Sequence, residues 1–102
     1  MPKDSEGKSK VNLVYYSLMT ELAAVREYGL TKYPGRESWR DVPRDEYYDA
    51  AIRHLMKAKA AEYDDSGYAD NMFDEESGLL HLSHAAADIM FLIEKLMPME
   101  GD

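Results

Sequence analysis

The sequence predicts a small all-α protein, built as an oligomeric bundle of three main helices. Apolar residues recur at spacings of three and four along most of the chain, as on one face of a helix, and no stretch carries a marked β signal. The 102 residues fit one domain. We expect this domain to span 11–98, because residues 1–10 are polar and typical of a disordered tail.

The first helix is predicted at about 11–28. Its apolar residues are spaced by four, four and three positions, which places them in one stripe: Val14, Leu18, Leu22 and Val25. Gly29 follows the stripe, and glycine is a common residue at the end of a helix.

A long loop is predicted at 29–43, where "YPG" and Pro43 interrupt the helical pattern. It contains the only tryptophan, Trp39. A loop of this length in a compact domain is more often functional than idle, although a solvated loop is the alternative. A third of the 12 basic residues lie in or beside it and form a candidate anion-binding cluster: Lys32, Arg36, Arg40 and Arg44.

The second helix is predicted at about 44–65, because Pro43 suits the start of a helix. His54 and Glu62 lie on one face at i and i+8, and Asp65 continues that face. Glu62 and Asp65 form an E-x-x-D pair, and hard carboxylates at this spacing suit Mg²⁺ or Mn²⁺ better than zinc. The alternative is an ordinary solvated helix face. The stretch "SGYADNMFDEE" then breaks the helix.

The third helix is predicted at about 78–97, with Ser77 as its N-cap and Pro98 beyond its end. On a helical wheel, one face is expected to form the main core stripe: Leu82, Ile89, Ile93 and Leu96. Because this helix is apolar on nearly all sides, it should be buried on nearly all sides, which two neighbouring helices cannot achieve. The sequence therefore predicts a homodimer or higher homo-oligomer centred on the third helix.

A polar patch interrupts this helix in "HLSHAAAD". His81, His84 and Asp88 recur at i, i+3 and i+7, which brings them within reach of one ion or one phosphate. They border the core, where an unpaired charge is costly, so we expect them to face His54 and Glu62 across the helix contact. The alternative is a hydrogen-bonded core network of histidines, Asp88 and backbone carbonyls.

Composition argues against several classes of protein. The net charge of −8 argues against nucleic-acid binding, and the absence of cysteine excludes disulfides and thiolate zinc sites. No apolar run is long enough for a membrane span, and the N-terminus does not resemble a signal peptide. We therefore expect a cytoplasmic protein that binds neither nucleic acid nor membranes.

Three stretches together resemble a known family. They are "LTKYPGRESW", "YYDAAIRHL" and "DEESGLLHLSHAAADIMFLIE", and they are similar to the N-terminal domain of phage dATP/dGTP diphosphohydrolases. The resemblance covers about Glu21 to Glu94. It departs from the family pattern in an insertion around 64–71 and in Asp88, where the family often has Asn.

The resemblance implies a phage protein in the host cytoplasm, related to the all-α, Mg²⁺-dependent pyrophosphohydrolases of the MazG kind. Its substrates would be purine deoxynucleoside triphosphates. The turn before the third helix matches the family motif at Asp74, Glu76, Ser77 and Gly78.

Carried over to this chain, the resemblance and the polar patches together define candidate site residues. Nucleotide binding is expected at six positions: Lys32, Tyr33, Arg36, Trp39, Arg53 and His54. The expected catalytic residues are Glu62, His81 and His84. Mg²⁺ or Mn²⁺ is expected on Glu62, Asp65 and Asp88.

Three functions stay open on the sequence. The first is a metal-dependent diphosphohydrolase that gives dNMP and pyrophosphate. The second is a non-catalytic phage sponge that sequesters a nucleotide immune signal. The third is a structural helical oligomer whose histidines are hydrogen-bond partners in the core.

Overall fold

The computed structural model describes residues 7–63 and 71–97. Within them lie three α-helices, which we call α1 (Tyr16–Lys32), α2 (Arg44–Glu62) and α3 (His81–Leu96). Two short 3-10 turns, Val11–Leu13 and Ser38–Asp41, precede α1 and α2. The described residues contain no strand beyond a single bridge between Phe73 and Leu80. The predicted all-α class is confirmed.

The first helix is shifted relative to its prediction. It begins at Tyr16 rather than 11 and runs past Gly29 to Lys32. Gly29 keeps a negative φ, so it does not supply the left-handed stop. The helix ends after Lys32, because Pro34 disfavours helical backbone at Tyr33, the residue before it.

The third helix begins three residues later than predicted. Leu80, not Ser77, precedes its first turn, and no side chain caps it. The antiparallel pairing of Phe73 with Leu80 holds the chain extended there, and Gly78 makes the preceding turn with a φ of +76°. The second helix begins at Arg44 as expected, and its predicted end at 65 lies outside the described residues.

The helix α3 packs against both α1 and α2, which make no close backbone approach to each other in the described residues. Alanines on the facing surfaces of α2 and α3 are buried, which allows the two helices to lie close together: Ala51, Ala58, Ala61 and Ala85. The arrangement leaves an open groove between α1 and α2, with α3 as its floor.

Trp39 belongs to the core rather than to a free loop. It is 9% exposed, and its ring stacks on that of Phe91 with the ring centroids 4.9 Å apart. The ring of Tyr47 also contacts that of Phe91, with centroids 5.1 Å apart, and its hydroxyl donates a hydrogen bond of 2.9 Å to the backbone carbonyl of Trp39. Leu92 completes this cluster, which fixes the loop onto α2 and α3.

The expected core stripe of the third helix is wrong for the single chain. Its four members are between 42% and 63% exposed: Leu82, Ile89, Ile93 and Leu96. The buried residues of α3 instead lie on two opposite sides, with His81 and Ala85 towards α2 and Ser83 and Ala87 towards α1, where the Ser83 hydroxyl donates to Glu21. A helical period identifies which residues share a face, but the smaller residues decide which face lets two backbones approach. None of the described helices is long and apolar enough to cross a membrane.

Candidate functional site

Three imidazoles meet where α2 crosses α3. Nδ1 of His54 lies 2.9 Å from Nδ1 of His81. The ring of His54 also stacks on that of His84, with centroids 4.8 Å apart and planes inclined by 14°. The predicted meeting of His54 with the two histidines of the third helix is confirmed.

The turn before α3 closes over this cluster. Asp74 accepts a hydrogen bond of 2.9 Å from the backbone N–H of Ser77, and the Ser77 hydroxyl lies 2.7 Å from Nε2 of His84. The hydroxyl also accepts the backbone N–H of Leu79 at 3.1 Å. Asp74 Oδ2 lies 3.9 Å from the same Nε2 of His84. A serine nucleophile would need the carboxylate on the opposite ring nitrogen, so this is not a Ser-His-Asp triad.

Burial lowers the pKa of two of the histidines, His54 and His84. It lowers the pKa of His54 to about 4, with further lowering from the neighbouring His84 and His81. Burial also lowers the pKa of His84, although Asp74 opposes the shift. For Asp74, burial alone would raise the pKa, but hydrogen bonds from Ser77 outweigh it and leave the pKa lowered. At neutral pH the rings of His54 and His84 are therefore neutral and lie near the ionised carboxylate of Asp74.

One set of side chains in the described residues has the spacing of metal ligands. A ring nitrogen of His54, a ring nitrogen of His81 and a carboxylate oxygen of Asp74 all lie within 4.8 Å of one another. His81 is buried, whereas His54 and Asp74 are half-buried.

The groove between α1 and α2 encloses about 750 Å³ and runs from this cluster to the aromatic core. At one end it is lined by His54, His84 and Asp74, and at the other by Trp39 and Phe91. Four cations lie along it: Arg26, Lys32, Arg53 and Lys57. Five carboxylates line it as well: Glu46, Asp49, Asp74, Glu76 and Asp88. The groove thus combines a polar end with an aromatic end, and charges of both signs lie along it.

Asp88 lines the groove between these two ends, because it follows His84 and precedes Phe91 by about one helical turn each. Its Oδ2 atom is buried and has no hydrogen-bond partner among the described residues. Burial raises the pKa of Asp88 to about 7, although Arg53 opposes the shift. Burial and Asp88 together raise the pKa of Tyr47 to about 12, so the tyrosine remains a hydrogen-bond donor.

The rim of the groove is formed by a contact between α1 and the turn before α3. Lys32 Nζ lies 2.6 Å from Oε1 of Glu76, and the Tyr28 hydroxyl donates to the same oxygen. The hydrogen bond from Lys32 holds the pKa of Glu76 below its usual range. Both partners are largely exposed, so an anion entering the groove competes with Glu76 for Lys32 at little cost.

Comparison with known proteins identifies the family to which this chain belongs. The model of the family described as "dATP/dGTP diphosphohydrolase, N-terminal" matches residues 2–101. The chain belongs to that family. A dATP/dGTP diphosphohydrolase of Salmonella phage PMBT28 is 31% identical over 90 residues, which cover 88% of this chain. The chain spans only 28% of the length of that relative. No solved structure matches the chain significantly.

Most residues that the family resemblance assigns to nucleotide binding line the groove: Lys32, Tyr33, Trp39, Arg53 and His54. His84 and Asp88 line it as well. Arg36 does not line the groove. Its side chain is 86% exposed, and its Nε atom lies 3.9 Å from Oε2 of Glu37. His81 lies behind His54 and faces a second, smaller groove of about 620 Å³, whose lining also includes Asp74.

The carboxylates expected to bind Mg²⁺ or Mn²⁺ are not brought together in the described residues. Glu62 is exposed at the last residue of α2 and lines neither groove, so it does not join the histidines. Asp65 lies outside the described residues. Asp88 lines the groove but belongs to no group of three potential metal ligands among the described residues.

Three residues that line the groove were not predicted from the sequence: Arg26, Tyr28 and Lys57. Each is a single polar residue on a helix and belongs to no motif. Tyr28 and Lys32, one turn apart on α1 and both bonded to Glu76, carried a usable signal. Asp74 matched the family motif, but only the folded turn brings it beside His54.

Proposed function

We propose that the chain binds a purine deoxynucleoside triphosphate in the groove between α1 and α2 and hydrolyses it to the monophosphate and pyrophosphate. The observation that supports this most is that cationic side chains and aromatic rings line the same groove. Family membership and the name of the phage relative point to the same reaction.

The phosphate end is proposed at Arg53, Lys57 and Lys32, because Arg26 lies over the Phe91 ring, 5.4 Å from its centroid, at the aromatic end. Five carboxylates also line the groove, so an anion would be held by direct contacts with these cations rather than by a net positive charge. Hydrogen bonds from ionised donors to phosphate oxygens are about twice as strong as neutral ones. Arginine adds two parallel donors, so Arg53 is the residue expected to orient the phosphates.

The base is proposed to lie at the aromatic end. The rings of Trp39 and Phe91 are stacked on each other, so a purine would contact their edges and the exposed face of Tyr33 rather than insert between them. Aromatic edges and apolar side chains bury the flat faces of a base at low entropic cost. Asp88, with its unpartnered oxygen, lies between base and phosphates and is available to accept an N–H or O–H of the ligand.

Proton transfer is proposed for Asp88 and His84. A carboxyl whose pKa is about 7 is suited to take a proton from an attacking water at neutral pH. His84 is neutral at that pH and is held by Ser77, so it can accept the same proton. The carboxylate set predicted for Mg²⁺ or Mn²⁺ does not fit, because Glu62 stands apart from the groove.

A binding role without turnover is the second candidate. It is favoured by the isolation of Glu62 from the groove. A nucleotide sponge needs the cations and aromatic rings of the groove but no catalytic carboxylates. In either role, we propose that the chain acts in the cytoplasm of the infected host cell.

Incubation with dGTP and a divalent metal distinguishes the two roles. Release of dGMP and pyrophosphate supports hydrolysis, whereas intact dGTP that remains bound and is recovered on denaturation supports the sponge. Calorimetry should show weaker dGTP binding by about tenfold for Arg53→Gln, from the loss of a charged hydrogen bond. Arg36→Gln is the matched control and should bind as the wild type does. Equal affinity in all three proteins would place the ligand outside the groove.

We also propose that the chain works as a homodimer or higher homo-oligomer. Four large apolar residues form an exposed stripe along α3: Leu82, Ile89, Ile93 and Leu96. The same stripe on a second copy would be an apolar partner for it. Contiguous apolar surface of this kind commonly marks a protein interface.

A further inference from the structure

We propose that His54, Asp74 and His81 form a binding site for a first-row divalent transition metal ion such as Zn²⁺ or Co²⁺, in preference to Mg²⁺. The site differs from the carboxylate set expected at Glu62, Asp65 and Asp88. It depends neither on nucleotide binding nor on hydrolysis, since its ligands belong to the crossing of α2 and α3 and to the turn between them.

The distances fit a single ion. Ligands at about 2.0–2.1 Å from a metal stand roughly 3.0–3.4 Å apart, depending on the angle between them. Nδ1 of His54 and Nδ1 of His81 lie 2.9 Å apart. One ring nitrogen of each histidine and a carboxylate oxygen of Asp74 lie within 4.8 Å of one another. Rotations of the Asp74 carboxylate and of the imidazoles would bring three ligand atoms to these separations around one ion.

The ligand types select the kind of ion. Two imidazole nitrogens and one carboxylate oxygen form a donor set that suits zinc, cobalt or iron, whereas Mg²⁺ prefers oxygen donors only. Three protein ligands also leave a position open for water or a ligand oxygen. The second groove reaches the site at His81 and Asp74, which gives that open position a path to solvent.

Neighbouring residues hold the three ligands in place. The backbone N–H of Ser77 fixes the carboxylate of Asp74 at 2.9 Å, and the backbone N–H of His81 donates to the carbonyl of Met72 at 2.9 Å. The stacked ring of His84 restricts the rotation of His54. Outer partners of this kind orient metal ligands and raise affinity.

The alternative is a direct hydrogen bond between the two Nδ1 atoms, in which one histidine donates and the other accepts. That arrangement would account for the histidine pair and would leave Asp74 only its hydrogen bond from the backbone of Ser77 in the turn. A metal ion would use all three groups together.

The test uses the full chain, made metal-free by dialysis against a chelator, with Zn²⁺, Co²⁺ and Mg²⁺ each added alone. Calorimetry should give one Zn²⁺ per chain, with Mg²⁺ weaker by about 100-fold or more. Bound Co²⁺ should show the visible absorption of a nitrogen-coordinated ion. Zn²⁺ should also raise the unfolding temperature, as a ligand of the folded state does.

Two variants and one control decide whether these residues are the ligands. Asp74→Asn and His54→Gln should each weaken Zn²⁺ binding by about tenfold or more, and the rise in unfolding temperature should be lost. Glu62→Gln makes the same carboxylate-to-amide change outside the site and should bind Zn²⁺ as the wild type does. If Asp74→Asn fails to fold by circular dichroism, His54→Gln carries the test.

Three results would overturn the site. One is a wild-type chain that binds Zn²⁺ no better than Mg²⁺. Another is unchanged Zn²⁺ affinity in His54→Gln, and the third is loss of binding in Glu62→Gln. Because no nucleotide is present, each result leaves the proposed nucleotide groove to be judged separately.

Discussion

Nδ1 of His54 faces Nδ1 of His81 at 2.9 Å across the contact between α2 and α3. In the metal-free protein one nitrogen must donate and the other accept, so the contact requires at least one neutral ring. Two imidazolium ions at this distance would repel each other. The contact between the helices is therefore sensitive to acid.

The acid sensitivity gives the first prediction. The pKa of His54 is about 4 in the folded chain against 6.5 for the free side chain, so folding keeps it neutral. A histidine whose pKa is lowered by folding contributes to the stability of the folded state at pH values above its pKa in the unfolded chain. This contribution is lost as the pH falls from 6.5 towards 4. The unfolding temperature of the metal-free wild type should drop through this window, and His54→Gln should drop less, by a few degrees. Parallel curves would contradict this explanation.

The second prediction concerns Asp88. Its folded pKa is about 7 against 3.8 when free, so the folded state binds an extra proton between these values and stability falls as pH rises through them. Asp88→Asn removes the buried charge. It should stabilise the chain at pH 8 by on the order of 1 kcal/mol, which is less than the full pKa shift would give, because the group is partly exposed to solvent. At pH 4 the substitution should have little effect. Urea unfolding at the two pH values measures the difference. A variant destabilised at pH 8 would indicate that the carboxylate has an important partner.

The third prediction concerns Trp39, which stacks on Phe91 in the core. Trp39→Ala should lower the free energy of unfolding by about 3–5 kcal/mol, because it removes a large buried ring. Tyr33→Ala, an aromatic truncation at an exposed position of the same loop, should change it by less than about 0.5 kcal/mol. Urea titrations of both variants give the comparison. Similar losses in the two would mean that Trp39 is not part of the core.

The fourth prediction concerns the exposed stripe of α3. Ile93→Glu places a charge at a position that is 52% exposed in the single chain, so the monomer should tolerate it. If the stripe is covered by a second copy, the variant should dissociate the oligomer, because an unpaired buried charge is costly. Light scattering measures the mass. Glu94→Gln, at the next position and exposed, is the control. A monomeric wild type would remove the homo-oligomer from the proposal.

The sequence by itself determined the helical class, the three helices and the meeting of His54 with His81 and His84. These follow from local rules, since a period of 3.6 residues fixes which side chains share a face, and buried polar groups must find partners. The motif stretches also determined the family. None of this required knowledge of how far apart the helices lie.

Only the tertiary structure decided which face of α3 is buried. The larger apolar stripe of Leu82 and Ile93 is exposed, because buried alanines on α2 and α3 let those two helices approach most closely. It also separated Glu62 from the histidines and brought Asp74 beside His54. Asp74 lies 20 residues after His54, and the turn that returns it depends on Gly78 and on the pairing of Phe73 with Leu80. Contacts between residues so far apart in sequence arise from packing and loop closure, which no local period records.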